Sequence, residues 1–210
     1  TLEDGAGLVP LGASITAGGA FTFTPSEAQG PGVYSFDVVV ADDGTGLLED
    51  RETITVTVNE VNVAPVLDPV GPQSGDEGTL ISFTATASDS DVPAKALTFS
   101  LEDGAGRVPA GASITAGGAF AWTPTEAQGP GVYSFDVVVT DDGAGLLEDR
   151  ETITVTVNEV NVAPVLDPVG AQAIDELALL FFTATASDSD LPVNTLTFRF
   201  EDGAGSVPAG

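Results

Sequence analysis

VNEVNVAPVLDP, residues 58–69, decides how this chain is read. The same twelve residues return unchanged at 157–168, an offset of 99. The offset is not confined to them. GLLEDRETITVTVNEVNVAPVLDPVG at 46–71 recurs as 145–170, and QGPGVYSFDVVV at 29–40 recurs as 128–139. LTFSLEDGAG at 97–106 reappears as LTFRFEDGAG at 196–205. A period near 100 residues is too long for a solenoid unit and is the size of a whole small domain. The stretch 58–69 is therefore a joint, placed where one unit ends and the next begins. Near-identity of neighbouring units points to a spacer, in which the number of copies matters more than the tailoring of each.

Between two joints the apolar pattern has period 2 and no helical stretch. Seven strands are expected in the complete unit: Val66–Val70, Thr79–Ala87, Ala96–Glu102, Ala112–Thr115, Ala119–Thr123, Val132–Thr140 and Glu151–Glu159. Tyr133, Phe135, Val137 and Val139 fall on one face, as do Ile153, Val155 and Val157. The natural closure is an all-β fold of tandem seven-stranded antiparallel Greek-key β-sandwiches, repeated every 99 residues. Residues 61–160 then hold a complete unit, 1–60 the C-terminal part of one, and 161–210 the N-terminal part of the next. Thr1-Leu2-Glu3-Asp4-Gly5 aligns with residues 100–104 in mid-unit, and Gly210 aligns with Gly111. The chain thus reads as a processed or excised window of a longer polymer, or as a piece that joins copies of itself by strand complementation. The Cys…Trp…Cys spacing of antibody domains is absent. Trp122 aligns with Phe23, which makes it a core aromatic.

The net charge is −27, from 5 Lys+Arg against 32 Asp+Glu, while 42% of residues are hydrophobic. That content excludes a disordered acidic tail. The charge repels nucleic acid and anionic membrane surfaces and attracts divalent cations. There is no Cys to form a disulfide, and no His. A Lys–Asn isopeptide in every unit is excluded as well: the single Lys is Lys95, and one repeat later that position is Asn194. No apolar run approaches the ~20 residues of a membrane span. Without His or Cys the commonest bases, nucleophiles and transition-metal ligands are missing, so no enzyme is expected. Paired carboxylates with one Trp and two Tyr give no sugar platform for a glycosidase.

Four acidic features recur once per unit. They are Glu77 in GDEGT (Glu176); Asp89-x-Asp91 after the Ala-Thr-Ala strand (Asp188, Asp190); Asp141-Asp142-Gly143 after the Val-Val-Val strand (Asp42, Asp43, Gly44); and the joint's own Glu60 and Asn62 (Glu159, Asn161). Glu126 (Glu27) is a fifth. Loops of a sandwich cluster at its two poles. Asp89, Asp91 and Asp141 share the pole near the incoming joint, and Glu77 and Glu126 lie at the other. Ca²⁺ takes six to eight oxygens from carboxylates, carboxamides and carbonyls, and a joint held between two such poles carries them. The alternative is that Asp89, Asp91 and Asp142-Gly143 are ordinary turn formers. Glu148-Asp149-Arg150-Glu151 reads as a solvated loop with Arg150 neutralised locally.

At these residues the chain resembles the cadherin family, and more closely the bacterial cadherin-like and putative-Ig repeats of large surface proteins. GDEGTLISFTATASDSD, LTFSL, YSFDVVVTDDG and VNEVNVAPV follow the cadherin order of motifs, the last resembling the linker Asp-x-Asn-Asp-Asn-x-Pro. The resemblance implies calcium ligation by Glu77, Asp89, Asp91, Asp141, Glu60 and Asn62. Through the repeat it extends to Glu159, Asn161, Asp188 and Asp190, and in TPTE and TPSE to Glu126 and Glu27. The joint departs from the family by being one residue shorter and by carrying Val63 at a ligand position, and Pro124 replaces one Asp. One or two ions per joint are expected. The function implied is a non-enzymatic structural segment of an extracellular adhesin stalk or surface filament, stiffened by Ca²⁺. Its partners are then neighbouring repeats or identical chains head to tail, and surface glycans or proteins. The alternative is a calcium-dependent carbohydrate- or protein-binding module, in which the same ion holds the ligand.

Overall fold

A computed structural model describes residues 1–5 and 7–201. Between the two joints it contains a two-sheet sandwich. One sheet has the strands Leu97–Glu102, Gly131–Asp141, Glu148–Asn158 and Gln73–Asp76, in that order. The other has Ser113–Ile114, Ala119–Trp122 and Ile81–Thr84. A short pairing of Val66–Leu67 with Ala87–Ser88 completes it. All neighbours are antiparallel except Gln73–Asp76, which runs parallel to Glu148–Asn158 with Gln73 opposite Val155 and Asp76 opposite Asn158. The fold is all-β, and seven strands are recovered once the two pieces of each broken strand are joined.

Aromatic residues fill the space between the sheets. Phe120 stacks on Phe83 at 4.5 Å and on Phe135 at 5.7 Å. Trp122, 1% exposed, stands edge-on to Tyr133 at 4.9 Å. Val137, Val139, Ile153, Val155 and Val157 close the same core. Trp122 is a core residue, as its alignment with Phe23 implied.

Several expected bounds move, each for a physical reason. The first strand is not one run over Val66–Val70. It leaves the small pairing after Leu67, passes the Asp68-Pro69-Val70-Gly71-Pro72 bend, and resumes in the opposite sheet at Gln73. Gly71 has φ +69, a left-handed conformation that favours Gly. The expected strand Thr79–Ala87 is broken into Ile81–Thr84 and Ala87–Ser88. Glu148–Glu151 is not a solvated loop; it opens the last strand, paired with Val137–Thr140. Its acids close the edge that the sheet-switching strand leaves open. Asp149 accepts the Leu67 N–H at 2.9 Å, and Glu151 accepts the N–H groups of Val70 at 2.7 Å and Gly71 at 3.1 Å. Those three donors would otherwise be unpaired. Arg150 pairs with Glu148 and with Glu102.

The strand Gly131–Asp141 is buried on both faces between Phe135 and Val139. Its outer face is covered by the EDGAG loop, and this needs glycine. A Cβ on Gly104 would sit 2.1 Å from Asp136 Oδ1, and one on Gly106 2.4 Å from the Ser134 carbonyl oxygen. Two short 3-10 turns, Glu27–Gln29 and Glu126–Gln128, interrupt the β pattern. Thr125 donates its N–H to Gln128 Oε1 at 2.9 Å, a capping arrangement written in the sequence as Thr-x-x-Gln.

The flanking copies show fewer strands. Leu2–Glu3, Gly32–Ala41 and Glu49–Val58 form one sheet, and Ser14–Ile15 pairs with Phe21–Thr22. Beyond the second joint, Val165–Leu166 pairs with Ala186–Ser187. LTFRF at 196–200 was expected as a strand and is not one. Its counterpart LTFSL is held by a residue-by-residue pairing with Val137–Asp141, and no such partner lies beside 196–200 among the described residues. The expectation for 202–210 falls outside the described residues.

Trp122→Ala removes a fully buried aromatic and should cost ~3–5 kcal/mol. A large fall in the melting temperature of the central sandwich checks this; a fall of only a degree or two would contradict the core assignment.

Candidate metal centre at the joints

Each joint is bracketed by carboxylates that strand ends deliver. Glu77 follows the strand Gln73–Asp76, whose parallel pairing ends at Asn158; its N–H then donates to the Asn158 carbonyl oxygen at 3.1 Å. The side chain points at the second joint, and Oε1 accepts the Val160 N–H at 3.0 Å. Glu77 is 5% exposed. Gly129 makes room for it, since a Cβ there would lie 2.0 Å from Glu77 Oε2. Glu126 opens its 3-10 turn at the same pole and accepts the Leu191 N–H at 2.8 Å. Glu77, Glu126 and Glu159 thereby bring one carboxylate oxygen each within 4.8 Å of one another.

The first joint repeats the arrangement from the other side. Glu27 accepts the Val92 N–H at 3.0 Å, the same contact 99 residues earlier. Glu27, Glu60 and Asp91 form the second group whose oxygens lie within 4.8 Å. Asp91 is 3% exposed and takes the Val63 N–H on both oxygens, at 3.1 and 3.3 Å. Asp190 does the same for Val162 at 3.0 and 3.1 Å. Asp89 accepts the Asp91 N–H at 2.8 Å, and Asp188 accepts that of Asp190 at 3.0 Å. Asp141 holds its own loop, accepting the N–H groups of Gly143 at 3.0 Å and Leu147 at 3.1 Å. Its other oxygen takes Asn62 Nδ2 at 2.8 Å. Gly143 lies against Asn62, whose Oδ1 would be 1.6 Å from a Cβ there.

All twelve candidates named from the sequence lie at the two joints. Asp141 is the one that reaches its joint through another side chain, Asn62. Asp142 is exposed and reaches the loop that precedes Leu97, where it accepts the Ala96 N–H at 2.8 Å. Glu176 and Asp42, the repeat counterparts of Glu77 and Asp141, are exposed. Two side chains were missed. Lys95 Nζ lies 3.5 Å from Glu60 Oε1. Asn194, at the same repeat position, donates to Asn161 Oδ1 at 3.2 Å and to Asp190 Oδ2 at 2.7 Å. A lone Lys at the end of a polar loop was the available signal.

The donor set fits a hard divalent cation. Among the described residues, five side-chain oxygens are buried and accept no hydrogen bond: Glu60 Oε1, Asn62 Oδ1, Asp89 Oδ2, Glu77 Oε2 and Glu159 Oε2. All five belong to the joints, and the one other buried side-chain nitrogen or oxygen without a partner among the described residues is Trp122 Nε1. Buried acceptors left unpaired are costly. Ca–O distances of 2.3–2.6 Å put ligand oxygens about 3–5 Å apart, which the two groups of three match. With carboxylates, a carboxamide and no imidazole or thiolate, the set suits Ca²⁺ rather than Zn²⁺ or Cu²⁺.

Residues 64–158 match a protein-family model described as "Putative Ig domain". Solved structures similar over 90% of this chain include mouse cadherin-23 EC22-24, at 19% identity and a TM-score of 0.55, of which 64% is covered. Human CDH23 EC21-23 matches at 19% identity and 0.53, with 72% covered. The protocadherin GammaB4 extracellular domain matches at 20% and 0.50, with 34% covered. The fold is cadherin-like. The chain spans about a third of the protocadherin structure and under two thirds of the mouse cadherin-23 one. No curated protein matches the sequence.

The crowding has an electrostatic signature. The Glu159 carboxyl is pushed above the ordinary carboxylate range by burial first, then by the charges of Glu77, Glu126 and Asp190. A raised carboxyl favours the protonated folded state. Its contribution to stability is therefore full below the ordinary Glu value and is lost as pH rises through the raised one. In EDTA, the melting temperature of the wild type relative to Glu159→Gln should fall as pH is raised from about 4.5 to neutrality. In excess Ca²⁺, which needs the ionised form, the sign should invert. Parallel melting series on the two proteins check this; a difference independent of pH in both buffers would contradict it.

Proposed function

We propose that this chain is a non-enzymatic structural segment of an extracellular adhesin stalk or surface filament, whose tandem β-sandwiches are rigidified by Ca²⁺ at the joints. The cadherin-like fold supports an adhesion-type structural module. The five buried acceptor oxygens without donors, all at the joints, carry the calcium reading. In this reading 1–60 is the C-terminal part of a repeat, 61–160 a complete repeat and 161–210 the N-terminal part of the next. Glu27, Glu60, Asn62, Asp89, Asp91 and Asp141 serve the first joint. Glu77, Glu126, Glu159, Asn161, Asp188 and Asp190 serve the second. Neighbouring repeats, in the same chain or in identical chains head to tail, are the partners. One of the similar structures is itself described as a protocadherin gammaB7 cis-dimer, which supports self-association.

The physical role follows from charge. Close carboxylate pairs repel by roughly 1–4 kcal/mol depending on the local dielectric. The joint straightens when an ion replaces that repulsion with shared ligation of both poles. Extracellular calcium modules bind at about 10⁻⁴–10⁻³ M. At a free concentration ~100 times the dissociation constant, linkage adds about 2.7 kcal/mol per site.

Calcium should raise the melting temperature and lengthen the particle seen by small-angle scattering, relative to EDTA. If neither moves, the proposal fails. Asp89→Ala should abolish most of the calcium response at the first joint while the central sandwich stays folded, because the side chain leaves no core cavity. Unfolding of that variant even in saturating calcium would make Asp89 structural instead.

A further inference from the structure

At one position the two joints differ in charge. Lys95 and Asn194 occupy the same place in successive copies. Lys95 is mostly buried, its side chain 15% exposed, with Nζ 3.5 Å from Glu60 Oε1. Glu60 belongs to the Glu27, Glu60 and Asp91 group, and its Oε1 accepts no hydrogen bond. The contact is long for a hydrogen bond, so the ammonium acts there as a point charge rather than a fixed donor. At the second joint Asn194 is neutral. Its amide donates to Asn161 and Asp190 instead, which leaves the Glu159 oxygen with neither a donor nor a countercharge.

Resting on the calcium reading above, we propose that Lys95 is a built-in countercharge which makes the first joint a weaker calcium site than the second and partly stiffens it without metal. Among the described residues Glu27, Glu60, Asp89, Asp91 and Asp141 stand at the first joint, and Glu77, Glu126, Glu159, Asp188 and Asp190 at the second. Lys95 offsets one charge at the first, where the second has the neutral Asn194. The ammonium opposes an incoming divalent cation twice. It repels the ion, and it holds an oxygen the ion needs. A unit charge at such range in a half-buried site weakens cation binding about tenfold or more. The same ammonium relieves carboxylate repulsion in the ion-free state, so the first joint depends less on calcium for its order. Lys at this position gives a joint that holds at low calcium; Asn gives one that stiffens only when calcium rises.

The test is calorimetric calcium titration of the whole chain, with melting in EDTA alongside, for wild type, Lys95→Asn, Lys95→Arg and Asn194→Lys. Wild type should show a tight and a weak class of sites. Lys95→Asn should tighten the weak class about tenfold and lower the melting temperature in EDTA. Lys95→Arg should keep the wild-type pattern, and Asn194→Lys should weaken the tight class. Wild type that binds calcium while Lys95→Asn changes neither affinity nor EDTA melting would overturn this inference alone. Wild type that binds no calcium would overturn it together with the reading on which it rests.

Discussion

Mutual repulsion of carboxylates is the constraint on which this structure turns. Two groups of three acids each converge to within 4.8 Å in a chain that holds 32 acidic residues against 5 basic ones. What positions them is mainly backbone. The N–H groups of Val63, Val92, Val160 and Leu191 each donate to one of these carboxylates. A peptide N–H sits at the end of a rigid unit and does not change with the side chain it carries. The sandwiches therefore act as frames whose strand ends aim acids at a joint, and the joint presents donors to meet them. The oxygens left over face each other.

Much of this was legible in the sequence because the repeat does the work of an alignment. A single offset identifies the joint, pairs Trp122 with Phe23, and shows that the acidic positions come in sets. Alternation of Val, Ile and Phe with Thr and Ser then yields the strands of the central sheet. The convergence of Glu77 and Glu126 on one pole, and of Asp89 and Asp91 on the other, follows from strand ends alternating between poles. No side-chain geometry is required to see it.

The rest was hidden for identifiable reasons. The first strand crosses from one sheet to the other, and nothing in Val66–Val70 announces this, because a period-2 pattern names the face of a strand and not its sheet. Glu148–Glu151 looked solvated because charged residues usually are. Here Asp149 and Glu151 are needed by a backbone that the crossing strand leaves unpaired. Gly104 and Gly106 looked like loop residues, and their requirement is steric, set by a loop lying on Asp136 and Ser134. Lys95 belonged to no motif. Its meaning comes only from where its Nζ ends up.

The contacts from Glu27 to Val92 and from Glu126 to Leu191 carry one more implication. The donating residue differs between the two joints, yet the bond is the same, since only its N–H is used. Recognition across a joint is thus nearly blind to the identity of the module that follows. A change of side chain at 92 or 191 therefore leaves the bond across the joint in place, and sequence drift at these two positions carries no cost there.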